Sequence, residues 1–238
     1  MNKRMESFML CNMHLGDTIN FVNAIYSLAI QENFYAIIYT KNLVVKQLLD
    51  IFDYDERIEL SKINSLLKYP LTFSNIFEGF CIGGWCQKSL GRMTITPVKI
   101  TNFVLPKNKI GNVDKKNYKC FQLNSFSCGP RKRHFNFSEI KNIIKLFGNE
   151  NSYYIGRPET KIYLPDVQVH FSNLFEQSKF LLGSQGFFGI DSGMSHLAGS
   201  LGLSGDIVIQ GNYHAKNVQD WYNFMYPSLK MHFRNILN

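Results

Sequence analysis

The sequence predicts an α/β protein built from two domains of alternating strands and helices. Three observations support this prediction. Strand-like and helix-like segments alternate through the first half of the chain, the alternation begins again at Tyr118, and the stretch 106–112 has the Pro, Asn and Gly content of a linker. We therefore predict an N-terminal domain over 1–108, a C-terminal domain over 109–222 and a terminal helix over 223–238.

In the first half, short apolar runs alternate with segments whose apolar residues recur every three or four positions. The first pattern indicates buried strands and the second indicates amphipathic helices. The predicted elements are a strand over 7–13, a helix over 18–31, a strand over 34–39, a helix over 41–52 and a strand over 58–60. Gly16 is predicted to make the turn before the first helix, and Asp17 stands where an N-cap belongs.

The pattern changes between residues 61 and 91, where aromatic and glycine-containing segments replace the regular alternation. We expect loops and short helices there that shape a pocket for an acceptor molecule. An irregular region without such a role is the alternative, and the sequence alone does not decide between the two.

The second half repeats the alternation. The predicted elements are strands over 118–123, 152–155, 186–190 and 206–210, and helices over 137–147, 174–182, 194–201 and 221–237. Ser138 or Asn136 is the predicted cap of the helix over 137–147, and Gly148 is its predicted end. The last helix is rich in aromatic residues and is interrupted by Pro227.

Composition and charge restrict the class of partner. The chain has 238 residues, of which 45% are hydrophobic, so it is long enough to bury a sizeable core. Lys and Arg number 26 against 18 Asp and Glu, which gives a net charge of +8. A basic balance favours phosphate-bearing partners, namely nucleotide donors, nucleic acid or an anionic lipid surface.

Several classes of site are absent from the sequence. It contains no Walker loop, no G-x-G-x-x-G loop and no G-x-S-x-G elbow. His14, His134 and His214 have no partner at metal-ligand spacing, so we expect neither a metal nor a cofactor. The five cysteines form no C-x-x-C pair, and no apolar stretch approaches the ~18 residues of a membrane span. We expect a cytoplasmic protein, bacterial or phage-encoded, the latter in the host cytoplasm.

The most informative stretch is a strand, a sharp turn and a helix around residues 186–201. Asp191, Ser192 and Ser195 lie close together at the predicted helix N-terminus. Free backbone N–H groups and the helix dipole make such a terminus an anion site, and phosphate is its usual anion. A purely structural Asx-turn is the alternative.

This stretch also carries a resemblance. Asp-Ser-Gly-Met-Ser-His followed by Leu-Ala, residues 191–198, resembles the D-[TS]-G-x-x-H-x-A signature of the heptosyltransferase-like GT-B glycosyltransferases of family 9 type. The resemblance implies two Rossmann-like domains with a cleft between them, here with a trimmed first domain. It also implies that the second domain binds the diphosphate and sugar of a nucleotide-sugar donor. The residues implied are Asp191, Ser192, Gly193, Met194 and His196.

A second motif comes early in the chain. Gly16 and Asp17, with Ala24 and Leu28, are similar to the family pattern G-D-x-x-x-x-x-P/A-x-x-x-x-L. The resemblance implies that Asp17 is the catalytic base and that His14 and Gly16 lie on the acceptor side. It further implies that the turns at Asp17 and Asp191 face each other across the cleft. A helix cap is the alternative role for Asp17.

Two weaker matches complete the predicted donor site. Lys132 and Arg133 precede Glu139 as in the family's K-R-W-P-x-E, although Trp-Pro is replaced here; Lys132 first and Arg131 second are predicted to contact donor phosphates. Glu159 follows a glycine and resembles the family's G-G-x-x-E loop, whose Glu contacts the donor ribose. A solvated basic patch and an exposed loop carboxylate are the alternatives.

The predicted function is that of an inverting, metal-independent glycosyltransferase. The absence of a D-x-D motif fits donor binding through helix termini and basic side chains. The resemblance implies a lipopolysaccharide-type sugar acceptor, whereas a small basic enzyme also suits a phage protein that modifies hydroxylated bases in DNA. A non-catalytic GT-B-like protein that binds nucleotide or sugar is the alternative. In GT-B folds the last helix often crosses to the first domain, and we expect the same of 223–238.

Overall fold

The computed structural model of the protein describes residues 4–10, 14–40, 42–61, 100–124, 135–158, 167–209 and 215–237. The chain divides into two compact units, Met1–Lys109 and Ile110–Asn238. Each unit has helices and a sheet of parallel strands. The predicted α/β class is therefore confirmed.

The first unit is organised around one long buried helix. Its described elements are β1 (Met5–Leu10), α1 (Leu15–Gln31), β2 (Tyr35–Thr40), α2 (Leu43–Ile51), β3 (Phe52–Asp53), β4 (Ile58–Ser61) and β5 (Lys107–Asn108). Strands β1, β2 and β4 form a parallel sheet in that order, and β3 pairs with β5 in an antiparallel ladder. Because α1 is buried on nearly every side between Thr18 and Ala29, it is the core element of this unit.

Helix α1 begins earlier than the sequence predicts. Thr18 N–H donates to His14 O at 2.9 Å, so His14 is the N-cap residue and Asp17 lies in the first helical turn. The predictions of an N-cap at Asp17 and of a turn at Gly16 are wrong, because the backbone of His14 is already extended and Gly16 is buried inside the helix. Asp17 therefore sits at the helix start as an acidic first-turn residue.

The second unit contains a larger sheet. Its described elements are β6 (Lys119–Gln122), α3 (Phe137–Phe147), β7 (Ser152–Ile155), β8 (Gln168–His170), α4 (Leu174–Gly183), β9 (Phe187–Ile190), α5 (Gly193–Ser200), β10 (Gly205–Ile209), α6 (Ala215–Met225), β11 (Leu229–Phe233) and a 3-10 turn (Arg234–Leu237). The six strands are parallel and lie in the order β8-β7-β6-β9-β10-β11. Stacked rings of Phe121 and Phe188, with centroids 4.9 Å apart, join the middle strands within the buried core.

The strand order places a switch point in the middle of this sheet. The first strand, β6, pairs with β7 on one side and with β9 on the other, so the chain builds outwards in opposite directions from β6. This is the order of doubly wound nucleotide-binding folds. In such sheets, ligands bind in the crevice outside the carboxyl ends of the two strands at the switch point. That position is occupied here by the residues that follow β6 and β9.

The C-terminal tail differs from its prediction. A helix over 223–238 was expected, but α6 ends at Met225 and the chain continues as strand β11, which pairs in parallel with β10. The physical reason is the break at Pro227, after which Leu229 is buried against the sheet. Within the described ranges, no helix is long and apolar enough to cross a membrane.

Candidate functional site

The turn between β9 and α5 lies at the carboxyl end of the switch-point strand. All four residues of β9 are buried, and Gly189 pairs with Gln122 of β6. Asp191 and Ser192 follow at once, and α5 begins at Gly193. The predicted sequence of strand, sharp turn and helix is therefore confirmed, and the turn is fixed at the sheet edge where doubly wound folds bind ligands.

A capping box closes the N-terminus of α5. Ser192 N–H donates to Ser195 Oγ at 2.9 Å, and Ser195 N–H donates to Ser192 Oγ at 3.4 Å. Both serines are buried, with exposed fractions of 6% and 0%. Each side chain thus satisfies a backbone donor that the helix itself leaves unpaired.

The capping box leaves two backbone donors at the turn. The first N–H groups of any α-helix have no acceptor within the helix. In this helix, two such groups lie between the two serines and belong to Gly193 and Met194. Neither N–H group has an acceptor among the described residues. Two adjacent open donors at the positive end of a helix dipole form a site suited to an anion.

The Asp191 carboxylate is held by side chains from two helices. Tyr222 O–H of α6 donates to Asp191 Oδ1 at 2.8 Å, and His196 Nε2 of α5 lies 3.3 Å from the same oxygen. The side chain of Asp191 is only 14% exposed. Asp191 is therefore an anchor between the turn and the two helices that follow it.

His196 is buried at the same place. It is 5% exposed, and its ring stacks on that of Tyr222 with centroids 5.2 Å apart. The contact with Asp191 assigns the ring proton to Nε2, while Nδ1 has no hydrogen-bond partner within the described part of the chain. The predicted contact of His196 with a donor phosphate stays a prediction.

No sequence motif includes Tyr222 in the site. Its phenol is fully buried, bonds Asp191 and lies 2.8 Å from Ser195 Oγ. Burial, reinforced by the nearby Asp191 charge, raises the pKa of Tyr222 well above its ordinary value, so the phenol keeps its proton. Because Asp191 and Tyr222 lie 31 residues apart, no local motif could have paired them.

The start of α1 has its own polar network in the first unit. Thr18 Oγ1 donates to His14 O at 2.9 Å and accepts from Asn42 Nδ2 at 3.0 Å. Asn42 in turn caps α2 by accepting from Val44 N–H. His14 is exposed and Asp17 is partly buried. The network fixes the two helix starts that follow β1 and β2.

Three predicted donor residues lie outside the described residues, namely Arg131, Lys132 and Glu159. The same is true of most of the predicted acceptor region, from 62 to 91. The turns at Asp17 and Asp191 belong to different units, and their predicted meeting across a cleft stays a prediction.

A separate hollow of about 210 Å³ lies elsewhere in the second unit. Tyr118, His170 and Phe180 line it, and the His170 ring stacks on Phe180 with centroids 3.9 Å apart. No predicted site residue contributes to it. Because it lies beside α4 and not at the strand switch point, we assign the candidate site to the turn at 191–193.

No metal cluster is found in the described ranges, where no three His, Cys, Asp or Glu side chains lie close enough to hold an ion. No family model and no curated protein sequence matches the chain. Comparison with solved structures therefore carries the remaining information.

Three solved structures share the fold at low sequence identity. The iron-containing dodecameric heptosyltransferase TibC in complex with ADP-D-beta-D-heptose is 14% identical, with a TM-score of 0.57, and the match covers 95% of this chain and 62% of TibC. A second TibC structure, from enterotoxigenic E. coli H10407, is 16% identical, with a TM-score of 0.53 and coverage of 87% and 58%. A family 9 glycosyl transferase from Veillonella parvula DSM 2008 is 11% identical, with a TM-score of 0.55 and coverage of 97% and 87%.

These likenesses establish the fold. The chain has the fold of heptosyltransferase-like glycosyltransferases, as the motif at 191–198 predicted. It spans about three-fifths of the TibC chains that it matches. Iron is stated for TibC, and the described residues of this chain offer no cluster that fits a metal ion.

Proposed function

We propose that this protein is a glycosyltransferase that moves a sugar from a nucleoside diphosphate to a hydroxyl acceptor with inversion and without a metal. One observation carries the proposal. The turn at the switch point of the second sheet presents the N–H groups of Gly193 and Met194, which have no acceptor among the described residues. The buried serines of the capping box, Ser192 and Ser195, lie on either side of them. The shared fold with heptosyltransferase TibC, whose structure contains ADP-heptose, supports a nucleotide-sugar as the donor.

At this turn the donor diphosphate would accept hydrogen bonds from Gly193 and Met194. The positive end of α5 would stabilise the negative charge that develops on the leaving nucleoside diphosphate as the glycosidic bond breaks. In the same proposal, Lys132 and Arg131 add positive charge beside the phosphates and Glu159 accepts from the ribose hydroxyls. These three contacts are proposed from the sequence motifs.

On the acceptor side, Asp17 would take the proton of the attacking hydroxyl. The acceptor oxygen then forms its bond to the anomeric carbon on the face opposite the departing diphosphate, which inverts that carbon. A carboxylate in the first turn of α1 is stabilised by the helix start, which suits a residue that must stay ionised to act as a base.

The direct test removes one backbone donor without removing the helix. Gly193 is the first residue of α5, where proline is well tolerated, and the preceding Ser192 is extended at φ −152° and ψ 170°, as a residue before proline requires. Gly193→Pro therefore deletes the N–H group while keeping the helix start, and Gly193→Ala is the matched control that adds a side-chain carbon but keeps the N–H group. We expect Gly193→Pro to weaken binding of ADP or UDP by roughly ten- to hundred-fold relative to Gly193→Ala, as befits a hydrogen bond to a charged group.

Isothermal titration calorimetry measures this difference, with circular dichroism to check that both variants keep their helices. Equal affinities in the two variants would remove the Gly193 N–H group from the donor site. If the unmodified protein binds no member of a panel of nucleoside diphosphates, the proposed function itself is wrong.

We propose a hydroxyl of a lipopolysaccharide-type sugar as the acceptor, with a hydroxylated base in DNA as the alternative for a phage enzyme. The net charge of +8 is compatible with both. Binding to duplex DNA would weaken steeply with salt because it releases counterions, whereas binding of a neutral sugar would not. A gel-shift series at increasing salt separates the two, and failure to shift duplex DNA at low salt excludes the DNA acceptor.

A further inference from the structure

The Tyr222 hydroxyl connects the side chain and the backbone of the turn. It lies 2.8 Å from Asp191 Oδ1 and 2.8 Å from Ser195 Oγ. Ser195 Oγ in turn accepts from Ser192 N–H and donates to Ser192 O at 2.6 Å. The Tyr222 phenol on α6 is therefore linked through Ser195 Oγ to the backbone of Ser192, which directly precedes Gly193 and Met194.

Counting protons fixes the direction of these bonds. An ionised Asp191 can only accept, so the Tyr222 proton goes to Asp191. The Tyr222 oxygen can then only accept from Ser195, whose one proton also serves Ser192 O. Two hydroxyl protons thus serve three contacts, and removal of the Tyr222 hydroxyl takes one of these contacts from Asp191 and one from Ser195.

The surroundings hold Tyr222 in this position. The residue is fully buried, and its ring packs on His196 and against Tyr226 at centroid distances of 5.2 and 5.7 Å. Gly199 of α5 lets the helices approach, because a Cβ there would lie 2.5 Å from Cγ of Tyr226. The phenol is therefore placed by packing between α5 and α6, and its hydrogen bonds transmit that placement to the turn.

We propose that Tyr222 is a positioning residue for the donor site, which holds Asp191 and the Ser192–Ser195 capping box so that the N–H groups of Gly193 and Met194 stay open to a diphosphate. The inference rests on the proposed function for the identity of the ligand. That Tyr222 holds the turn is inferred only from its contacts with Asp191 and Ser195. In this arrangement Asp191 acts as an anchor of the turn rather than as a ligand of the donor.

The test removes one oxygen atom and compares two buried tyrosines. Tyr222→Phe deletes the hydroxyl that bonds Asp191 and Ser195. Tyr118→Phe is the control, because Tyr118 is also buried and its hydroxyl donates to Phe180 O at 2.6 Å, away from the turn. For each protein, the dissociation constants of ADP and adenosine, and of UDP and uridine, are measured by calorimetry. The ratio of nucleoside to diphosphate constants isolates the contribution of the phosphates.

We expect this ratio to fall about tenfold in Tyr222→Phe and to stay unchanged in Tyr118→Phe, since a bond to a charged group is lost in the first case alone. General destabilisation would lower the melting temperature of both variants without changing the ratio. An unchanged ratio in Tyr222→Phe, with the unmodified protein binding a diphosphate, overturns the positioning role.

Backbone amide exchange gives an answer that needs no ligand. In the full chain, Tyr222→Phe should speed exchange of the Ser192 and Ser195 amides about tenfold, and Tyr118→Phe should not. Unchanged exchange in Tyr222→Phe overturns the inference whether or not a nucleotide binds. Faster exchange in a protein that binds no diphosphate instead rejects the proposed function and leaves Tyr222 as the residue that holds the turn.

Discussion

The two acidic residues singled out by the sequence have different surroundings. Asp191 is nearly enclosed and serves as acceptor for Tyr222 and His196. Asp17 lies in the first turn of a buried helix and is only partly covered. A carboxylate that already accepts two side-chain contacts is poorly placed to take a substrate proton, so Asp191 does not suit the role of base. We therefore propose Asp17, and not Asp191, as the base.

Substitution of Asp17 tests this assignment. Asp17→Asn keeps the size of the side chain and its acceptor oxygen but removes the charge that a base needs. We expect turnover to fall by roughly 10²–10⁴-fold with the affinity for the donor nearly unchanged. Asp50→Asn, on an exposed position of α2, is the matched control.

Transfer from a panel of nucleotide sugars and donor binding by calorimetry supply the two readouts. A parallel loss of donor affinity and turnover would make Asp17 a structural residue. Binding of a donor without any transfer in the unmodified protein would favour the non-catalytic alternative.

At the scale of single elements, the sequence succeeds where local chemistry decides the structure. The helix over 137–147 and the strand over 152–155 match α3 and β7 residue for residue. The first is fixed by inward isoleucines and by the reciprocal capping box of Asn136 and Glu139. Glu139 also pairs with Arg234 of the C-terminal turn. Of the two predicted caps, Asn136 is the correct one.

The capping contact of α3 has a measurable energy. Asn136 Oδ1 accepts from Glu139 N–H at 2.9 Å. We expect Asn136→Ala to lower the free energy of unfolding of the second unit by about 1 kcal/mol, or its melting temperature by roughly 4 °C, because an N-terminal donor loses its acceptor. Asn136→Asp retains the acceptor and should stay close to the unmodified protein. Thermal denaturation followed by circular dichroism measures both variants. An equal decrease of the melting temperature in the two would show that the Asn136 cap does not stabilise the helix.

Two strands of the six-stranded sheet could not be predicted because their pairing is not local. Strand β8 is three residues long with no buried side chain, so it lacks an alternating pattern. Strand β11 has alternating Leu, Lys, Met, His and Phe, but it follows directly on the aromatic α6, and the two were predicted as one helix. Both are strands because each adds to the side of an existing parallel sheet, β8 to β7 and β11 to β10. Neighbours distant in sequence decide such cases.

At the scale of the whole molecule, one buried thiol and three buried phenols make the stability of the fold decrease at alkaline pH. Burial raises the pKa of Cys120 from 9.0 to about 12, and burial also raises the pKa values of Tyr26, Tyr118 and Tyr222 above their ordinary value of 10.0. The unfolded chain loses these protons near the ordinary values, whereas the folded chain keeps them. The stability that they contribute is therefore full below about pH 9 and is lost as the pH rises towards the folded-state values.

We accordingly expect the urea midpoint to fall as the pH rises from about 9 to about 11, with tyrosinate absorbance appearing only on unfolding. Tyr222→Phe should reduce the dependence on pH within the transition of the second unit, because one of the titrating groups is gone. A midpoint that is constant over this range, or tyrosinate absorbance before unfolding, would contradict the assignment of protonated buried phenols.

The central position of β6 has a consequence for synthesis on the ribosome. Cys120 of β6 pairs with Tyr153 on one side and with Phe187 on the other, so this strand leaves the exit tunnel well before its second neighbour has been translated. Until then the apolar side chains of Phe121 and Leu123 lack the part of their core that Phe188 and Ile190 supply. The nascent second unit therefore passes through a stage in which one edge of β6 is unpaired and can bind other chains or chaperones. This stage ends when β9 has been translated and pairs with β6.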